Sequence, residues 1–235
     1  MLAEMLSRKT HSEARQGGLP QHPSAGVVMH FTSLPSPYGI GDIGDAAQLF
    51  LQQLSAMGIA VWQFLPTGPT AYGDSPYQPL SAFAGNEMLV GLEPLVRACW
   101  LRADELQALE GLDQGSVDYG ALITIKHKLL MLAAERFGAH ATARQQAEYA
   151  AFVEQNRELW LDAYVEYRLL KSLHEEKPWP EWDVAFVGRE TAAMAGLRQQ
   201  HSQRLQQLRV MQFFFQQQWQ ALHDLADSLQ IRLFG

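Results

Sequence analysis

Two apolar runs, Val27-Val28-Met29-His30-Phe31 and Val61-Trp62-Gln63-Phe64-Leu65, constrain this chain most, because a single amphipathic stretch lies between them. A short continuous apolar run bounded by turn residues reads as a strand covered on both faces, the kind that parallel sheets use. Between the runs, Ala46, Phe50, Leu54 and Met57 recur at steps of three and four, which gives a helix one apolar face. Asp45 is expected to cap that helix with its carboxylate, and Gly58 to end it. Ile59 to Leu65 then returns as the second strand. Strand, helix, strand with short connections is a βαβ unit, right-handed by default.

The remainder is mainly helical. Helices are predicted over 119–137, with Leu122, Ile125, Leu129 and Leu132 on one face, and over 152–175. A last helix is predicted from about Arg189 to Ser228, broken near Gly196, followed by a third strand at Ile231-Arg232-Leu233-Phe234. Gln216-Gln217-Gln218 reads as its polar face. The organisation is therefore a polar, flexible segment 1–24, a βαβ portion 25–79, a mainly helical region 80–187, and a helix with a third strand at 188–235.

Composition narrows the classes. A net charge of −7 makes nucleic acid an unsuitable partner, since phosphate binding needs clustered Lys and Arg. No stretch reaches the roughly 18 apolar residues a bilayer span requires, so no membrane association is expected. The first residues carry charges where a signal peptide is apolar, which gives a cytoplasmic expectation. The single cysteine, Cys99, fits a reducing compartment and reads as a small buried apolar residue. No histidine has Cys or carboxylate partners at metal-ligand spacing, so neither a metal nor an organic cofactor is expected. Glu175-Glu176 and Glu181-Asp183 read as solvated.

The chemistry-bearing stretch is Ala71-Tyr72-Gly73-Asp74-Ser75-Pro76-Tyr77-Gln78, in the loop after the second strand. Amphipathic rings can cover the apolar face of a sugar while hydroxyl and carboxylate groups bond its rim. The same Gly, Asp, Ser and Pro are also what a tight turn requires, and residue types alone leave both readings open. Loops that follow parallel strands lie at the carboxyl end of the sheet, which puts Tyr38, Tyr72, Asp74, Ser75, Tyr77 and Gln78 on one side. His30, within the first strand, reads as a hydrogen-bonded core histidine. Trp179 and Trp182 could stack sugar or pin the helical region, and packing is the preferred reading.

The blocks GVVMHFTSLPSPYGIGDIGD (26–45), VWQFLPTGPTAYGDSPYQPLSAFAGN (61–86), WLDAYVEYRLLKSLHEEKPWPEW (160–182) and QFFFQQQWQALHDLADSLQIRLFG (212–235) resemble the amino-terminal part of the 4-α-glucanotransferases, or amylomaltases. The resemblance implies an α/β fold: the first three strands of an incomplete (β/α)8 TIM-type barrel, with a helical insertion after the second. It implies retaining transfer of α-1,4-glucan segments between maltodextrins. It also makes Tyr72, Asp74, Ser75, Tyr77, Gln78 and Tyr38 substrate-binding residues on the acceptor side. The family's catalytic carboxylates are expected beyond residue 235, so this chain by itself is expected to be inactive, a non-catalytic sugar-binding portion. Three strands leave open sheet edges, and a complementing downstream polypeptide is the partner they would invite. One departure is noted: Glu87 stands where the family's proline usually follows Phe83-Ala84-Gly85-Asn86.

Overall fold

A computed structural model describes residues 24–71, 74–113 and 115–235. The segment 1–23, expected to be flexible, lies outside the described residues. Three short parallel strands, β1 (Gly26–Val28), β2 (Val61–Gln63) and β3 (Arg232–Phe234), form a sheet in the order β1-β2-β3. Val27, Trp62 and Leu233 are in register across it, as are Val28, Gln63 and Phe234.

Between β1 and β2 runs α1 (Asp45–Ala56). Between β2 and β3 lie α2 (Glu93–Arg97), α3 (Tyr119–His140), α4 (Ala143–Asn156), α5 (Asp162–Leu173), α6 (Val184–Val187), α7 (Thr191–Gln200) and α8 (Ser202–Ser228). α8 is the centre of the molecule. It packs on α1 and β3 at one end and on α3, α4 and α5 along the rest. Its buried set, which includes Leu205, Leu208, Met211, Phe213, Phe214, Phe215 and Leu222, therefore spreads around most of its circumference.

The strands differ from expectation in length and burial. β1 ends at Val28, and Phe31 opens a 3-10 turn instead of continuing the strand. Each strand alternates, with Val28 65% and Phe234 60% exposed while Trp62 is fully buried. Helices cover one face only, so the residues in register with Trp62 are sheltered and those in register with Gln63 are not. Trp62 anchors the covered face. Its indole N–H donates to Met29 O at 2.7 Å, and its ring lies 4.9 Å from both Phe31 and Phe50. Trp219 of α8 closes the cluster against Phe31 and Phe64.

Helix boundaries bring further corrections. Asp45 is the first residue of α1 rather than its cap; Gly44 holds the cap position, and its N–H donates to Asp42 Oδ1 at 2.9 Å. The Asp45 carboxylate turns outward to Arg97. Ala47, Leu51 and Leu54 form the buried stripe of α1, so Ala46 and Phe50 flank it and Met57 is exposed. Gly58 does end α1, with a φ of 72° and the paired bonds Gly58 N to Ser55 O and Ile59 N to Leu54 O.

The helix expected over 152–175 begins at Ala143 and carries a π turn at Arg157–Leu161. There the Asn156 side chain donates to Phe152 O at 2.8 Å and accepts from Trp160 Nε1 at 2.9 Å, competing with the helical ladder. The break expected near Gly196 falls at His201.

Cys99 is exposed, not buried. It occupies the residue after the cap of α2 with a φ of 62°, making Cys99 N to Val96 O and Trp100 N to Leu95 O bonds of 2.9 Å each. That is the left-handed helix-ending position usually given to glycine, and its geometry points the side chain outward. Among the described residues no helix is long and apolar enough to cross a membrane.

Candidate functional site

The loop leaving β2 owes its shape to its own backbone and to α8. Phe64 N donates to Phe234 O at 2.9 Å, carrying the ladder one residue past the strand. At the neck Asn86 N donates to Thr67 O at 2.8 Å, and further out Leu80 N donates to Pro69 O at 2.8 Å beside a Thr70–Pro79 bridge. The residues between are thus presented as a closed projection, with local side-chain bonds organising the tip. Ser75 Oγ accepts from Tyr77 N at 3.3 Å, and Ser75 O accepts from Gln78 N at 3.2 Å. Asp74 sits at a φ of 53°, a left-handed conformation that Asp tolerates better than most residues. The turn chemistry read from the sequence is therefore present in the geometry.

The projection places Tyr77, 68% exposed, and Gln78 at its tip. Ser75 and Asp74 lie half-buried behind them. Tyr72, the other ring of the motif, lies outside the described residues. Asp74 opens onto a cavity of about 650 Å³ between the loop and helices α3 and α5, with Thr70, Asn86, His127, Arg168 and Lys171 among its walls. A second cavity, of about 400 Å³, sits at the loop neck between Thr67, Ser81 and Phe83 and the aromatic wall of Trp160, Phe215 and Trp219. Both fall within or near the size of small-ligand pockets.

Tyr38 has different neighbours. Burial, with the carboxylates of Glu93, Asp42 and Glu110, raises its phenol above the usual value, so it faces an acidic corner beside α2. Tyr119, which sequence reasoning passed over as the first residue of a helix, links the two loops instead. Burial raises its pKa, and its phenol lies near the Thr32 side chain and close enough to Asp74 to feel its charge. Asp118 caps that helix by accepting from Ala121 N at 3.1 Å, which fixes the start from which Tyr119 projects.

Several buried polar groups lie behind the loop. Lys126, fully buried, donates to Met88 O at 2.7 Å, and desolvation lowers it to about 8. Asp42 faces it, raised to about 6 by burial against the opposing pull of that ammonium. Glu87, at the position noted as unusual, is buried against Arg168 and Tyr164. Burial raises its carboxyl, and neither its Oε2 nor the Tyr164 hydroxyl makes a hydrogen bond of good geometry. His127 falls to about 4 through burial and the cations Arg204 and Arg168. His30, expected to be a satisfied core residue, has a buried Nδ1 without a partner, and burial lowers its pKa.

Two glutamines were read wrongly or missed. Gln218, assigned to a polar face, is buried and bonds both N–H and C=O of Gly91, at 2.7 and 2.9 Å. Gln212 does the same to Gly85, at 2.9 Å each. Trp182 packs as expected, stacked on His174 with its N–H on Lys177 O, whereas Trp179 stays 52% exposed. Among the described residues no group of three or more His, Cys, Asp or Glu side chains is disposed to hold a metal.

The fold is a parallel sheet covered by helices, with loops at its carboxyl end that present a ring, a hydroxyl and a carboxylate beside small cavities. The sequence matches the family model described as 4-alpha-glucanotransferase over residues 29–235. The chain belongs to the 4-α-glucanotransferase family. It is 39% identical over 210 residues to a 4-alpha-glucanotransferase of Thermus thermophilus, covering 89% of this chain and 41% of that one. The corresponding rice chloroplastic/amyloplastic enzyme is 32% identical over 216 residues, with 90% and 36% covered. Among solved structures, an amylomaltase from Streptococcus agalactiae in complex with acarbose superimposes with a TM-score of 0.84 at 34% identity, covering 90% of this chain and 42% of that one. An amylomaltase from Corynebacterium glutamicum shares the fold at a TM-score of 0.68 and 16% identity, with 89% and 29% covered. The chain spans about 41% of the length of the Thermus relative.

Proposed function

We propose that this chain supplies the acceptor-side glucan-binding wall of a 4-α-glucanotransferase that transfers α-1,4-glucan segments between maltodextrins by retaining double displacement. The observation that carries the reading is the tip of the β2 loop. An exposed Tyr77 ring stands on a turn fixed by Ser75, with Gln78 beside it and Asp74 behind it. Such a ring can lie against the apolar face of a glucose unit while Ser75, Gln78 and Asp74 bond its hydroxyls. Tyr72 and Tyr38 complete the proposed acceptor set.

The reaction needs two carboxyl groups about 5–5.5 Å apart across the scissile bond, one as nucleophile and one as acid/base. Asp74 is the only carboxylate between Pro66 and Asn86. The proposal assigns the catalytic pair to sequence beyond residue 235, and the present three strands to a (β/α)8 barrel of which residues 80–187 form a helical insertion. The exposed sheet face carrying Val28, Gln63 and Phe234 would then be barrel interior. No metal or organic cofactor takes part in this chemistry.

The 235-residue chain incubated with maltotriose is expected to bind weakly without turnover, and Tyr77→Ala is expected to abolish the binding. Glucose plus longer maltodextrins as products would overturn the placement of the carboxylates. Unchanged affinity in Tyr77→Ala would remove the loop tip from the site.

A further inference from the structure

Helix α8 grips the backbone beneath the candidate site twice, by identical chemistry. Gln212 Oε1 accepts from Gly85 N and its Nε2 donates to Gly85 O, both at 2.9 Å. Six residues later Gln218 repeats the arrangement on Gly91, six residues after Gly85, at 2.7 and 2.9 Å. Each primary amide thus replaces a neighbouring strand, satisfying the N–H and the C=O of one residue at once. All four bonds are buried. Glycine is required on the other side for a steric reason. A Cβ on Gly85 would enter the Phe215 ring, and one on Gly91 would come within 2.9 Å of Gly44 Cα.

The two grips differ in what hangs from them. Gly85 precedes Asn86, whose N–H closes the loop neck on Thr67 O, so Gln212 holds the point where the projection 67–86 is fastened. Gln212 also lies in the wall of the neck cavity, with Phe215 and Trp219. Gly91 lies past the 3-10 turn Glu87–Leu89, where Leu89 O already receives Ile43 N and Met88 O receives Lys126. Gln218 therefore secures a segment that other bonds secure as well.

We propose that Gln212 is a positioning residue for the glucan-binding loop: its amide sets the neck geometry that orients Ser75, Tyr77 and Gln78, whereas Gln218 serves only the core. This rests on the proposed glucan-binding role of that loop. Gln218 provides a matched control, because removing either amide deletes the same two buried bonds. A role confined to stability would make the two variants alike.

The test uses Gln212→Met and Gln218→Met in the 235-residue chain, with amide hydrogen exchange over 66–86 and binding of maltodextrin as readouts. Both variants are expected to melt at similarly reduced temperatures. Gln212→Met alone is expected to accelerate exchange across the loop and to weaken maltodextrin binding roughly tenfold. Equal loop exchange in the two variants would overturn the proposal, as would an equal loss of affinity.

If the methionine variant does not fold, Gln212→Glu decides. A protonated carboxyl keeps one donor and one acceptor and can make both bonds, whereas the carboxylate loses the donor. Loop protection in that variant is expected to be retained near pH 5 and lost near pH 8, and a loop insensitive to pH would refute the assignment. Tyr77→Ala in the same binding assay separates the two ideas. If it leaves affinity unchanged, the glucan reading fails, and Gln212 is judged on the exchange comparison alone.

Discussion

Asp42→Asn tests the electrostatics beneath the loops. Asp42 is almost wholly buried, accepts Gly44 N at 2.9 Å, and has its carboxyl raised from 3.8 to about 6, chiefly by desolvation. A folded pKa above the unfolded one means that the native state holds the proton more tightly. The corresponding stability is fully present below about 3.8 and is lost as pH rises through about 6. A shift of roughly two units corresponds to about 3 kcal/mol. Asparagine keeps the carbonyl that caps Gly44 and cannot ionise, so it retains the local bond and removes the linkage. Lys126, deprived of its counter-charge, shifts further down and adds to the difference in the same direction.

Urea denaturation followed by circular dichroism at pH 4 and pH 7 measures both proteins, and subtracting the two profiles cancels the other titrating groups. The stability of the natural chain relative to Asp42→Asn is expected to fall by about 2 kcal/mol between these values, part of the full shift being already lost at pH 4. Parallel profiles, or a relative gain for the natural chain as pH rises, would refute the buried-carboxyl account.

Other expectations follow from single contacts. Cys99→Gly relieves a left-handed backbone at the end of α2 and is expected to stabilise the chain by about 1 kcal/mol, read as a raised melting temperature; a lowered one would contradict the helix-end assignment. In the native chain the exposed Cys99 thiol is expected to react with a thiol-specific dye without denaturant, and reaction only after unfolding would show it buried. Trp62→Phe leaves Met29 O without its donor and opens space beside Phe31 and Phe50, for an expected loss of about 2–4 kcal/mol by urea titration. A loss below about 1 kcal/mol would mean that water replaces the indole N–H.

The βαβ start, the long helices and the motif loop were legible because each is a local pattern. Apolar spacing marked the helix ending at Gly58, and the Gly-Asp-Ser-Pro run marked the turn that Ser75 organises. Three features were not legible. Cys99 looked like a core residue because apolar character does not reveal that a helix ends there and turns its side chain out. Gln218 read as part of a polar helical face and Gln212 went unmarked, because their partners, Gly91 and Gly85, are each 127 residues away. Tyr119 gave no sign that it would stand between Thr32 and Asp74.

The sequence alone determined which segments could be strand or helix and which loop carried hydroxyls and rings, since propensity, periodicity and turn chemistry act over a few residues. Only the tertiary structure decided which face of the sheet is covered, which polar side chains are buried, and what fastens the loop. Those outcomes depend on α8 lying against segments more than a hundred residues earlier. There, every N–H and C=O removed from water must find a partner, whatever its distance along the chain.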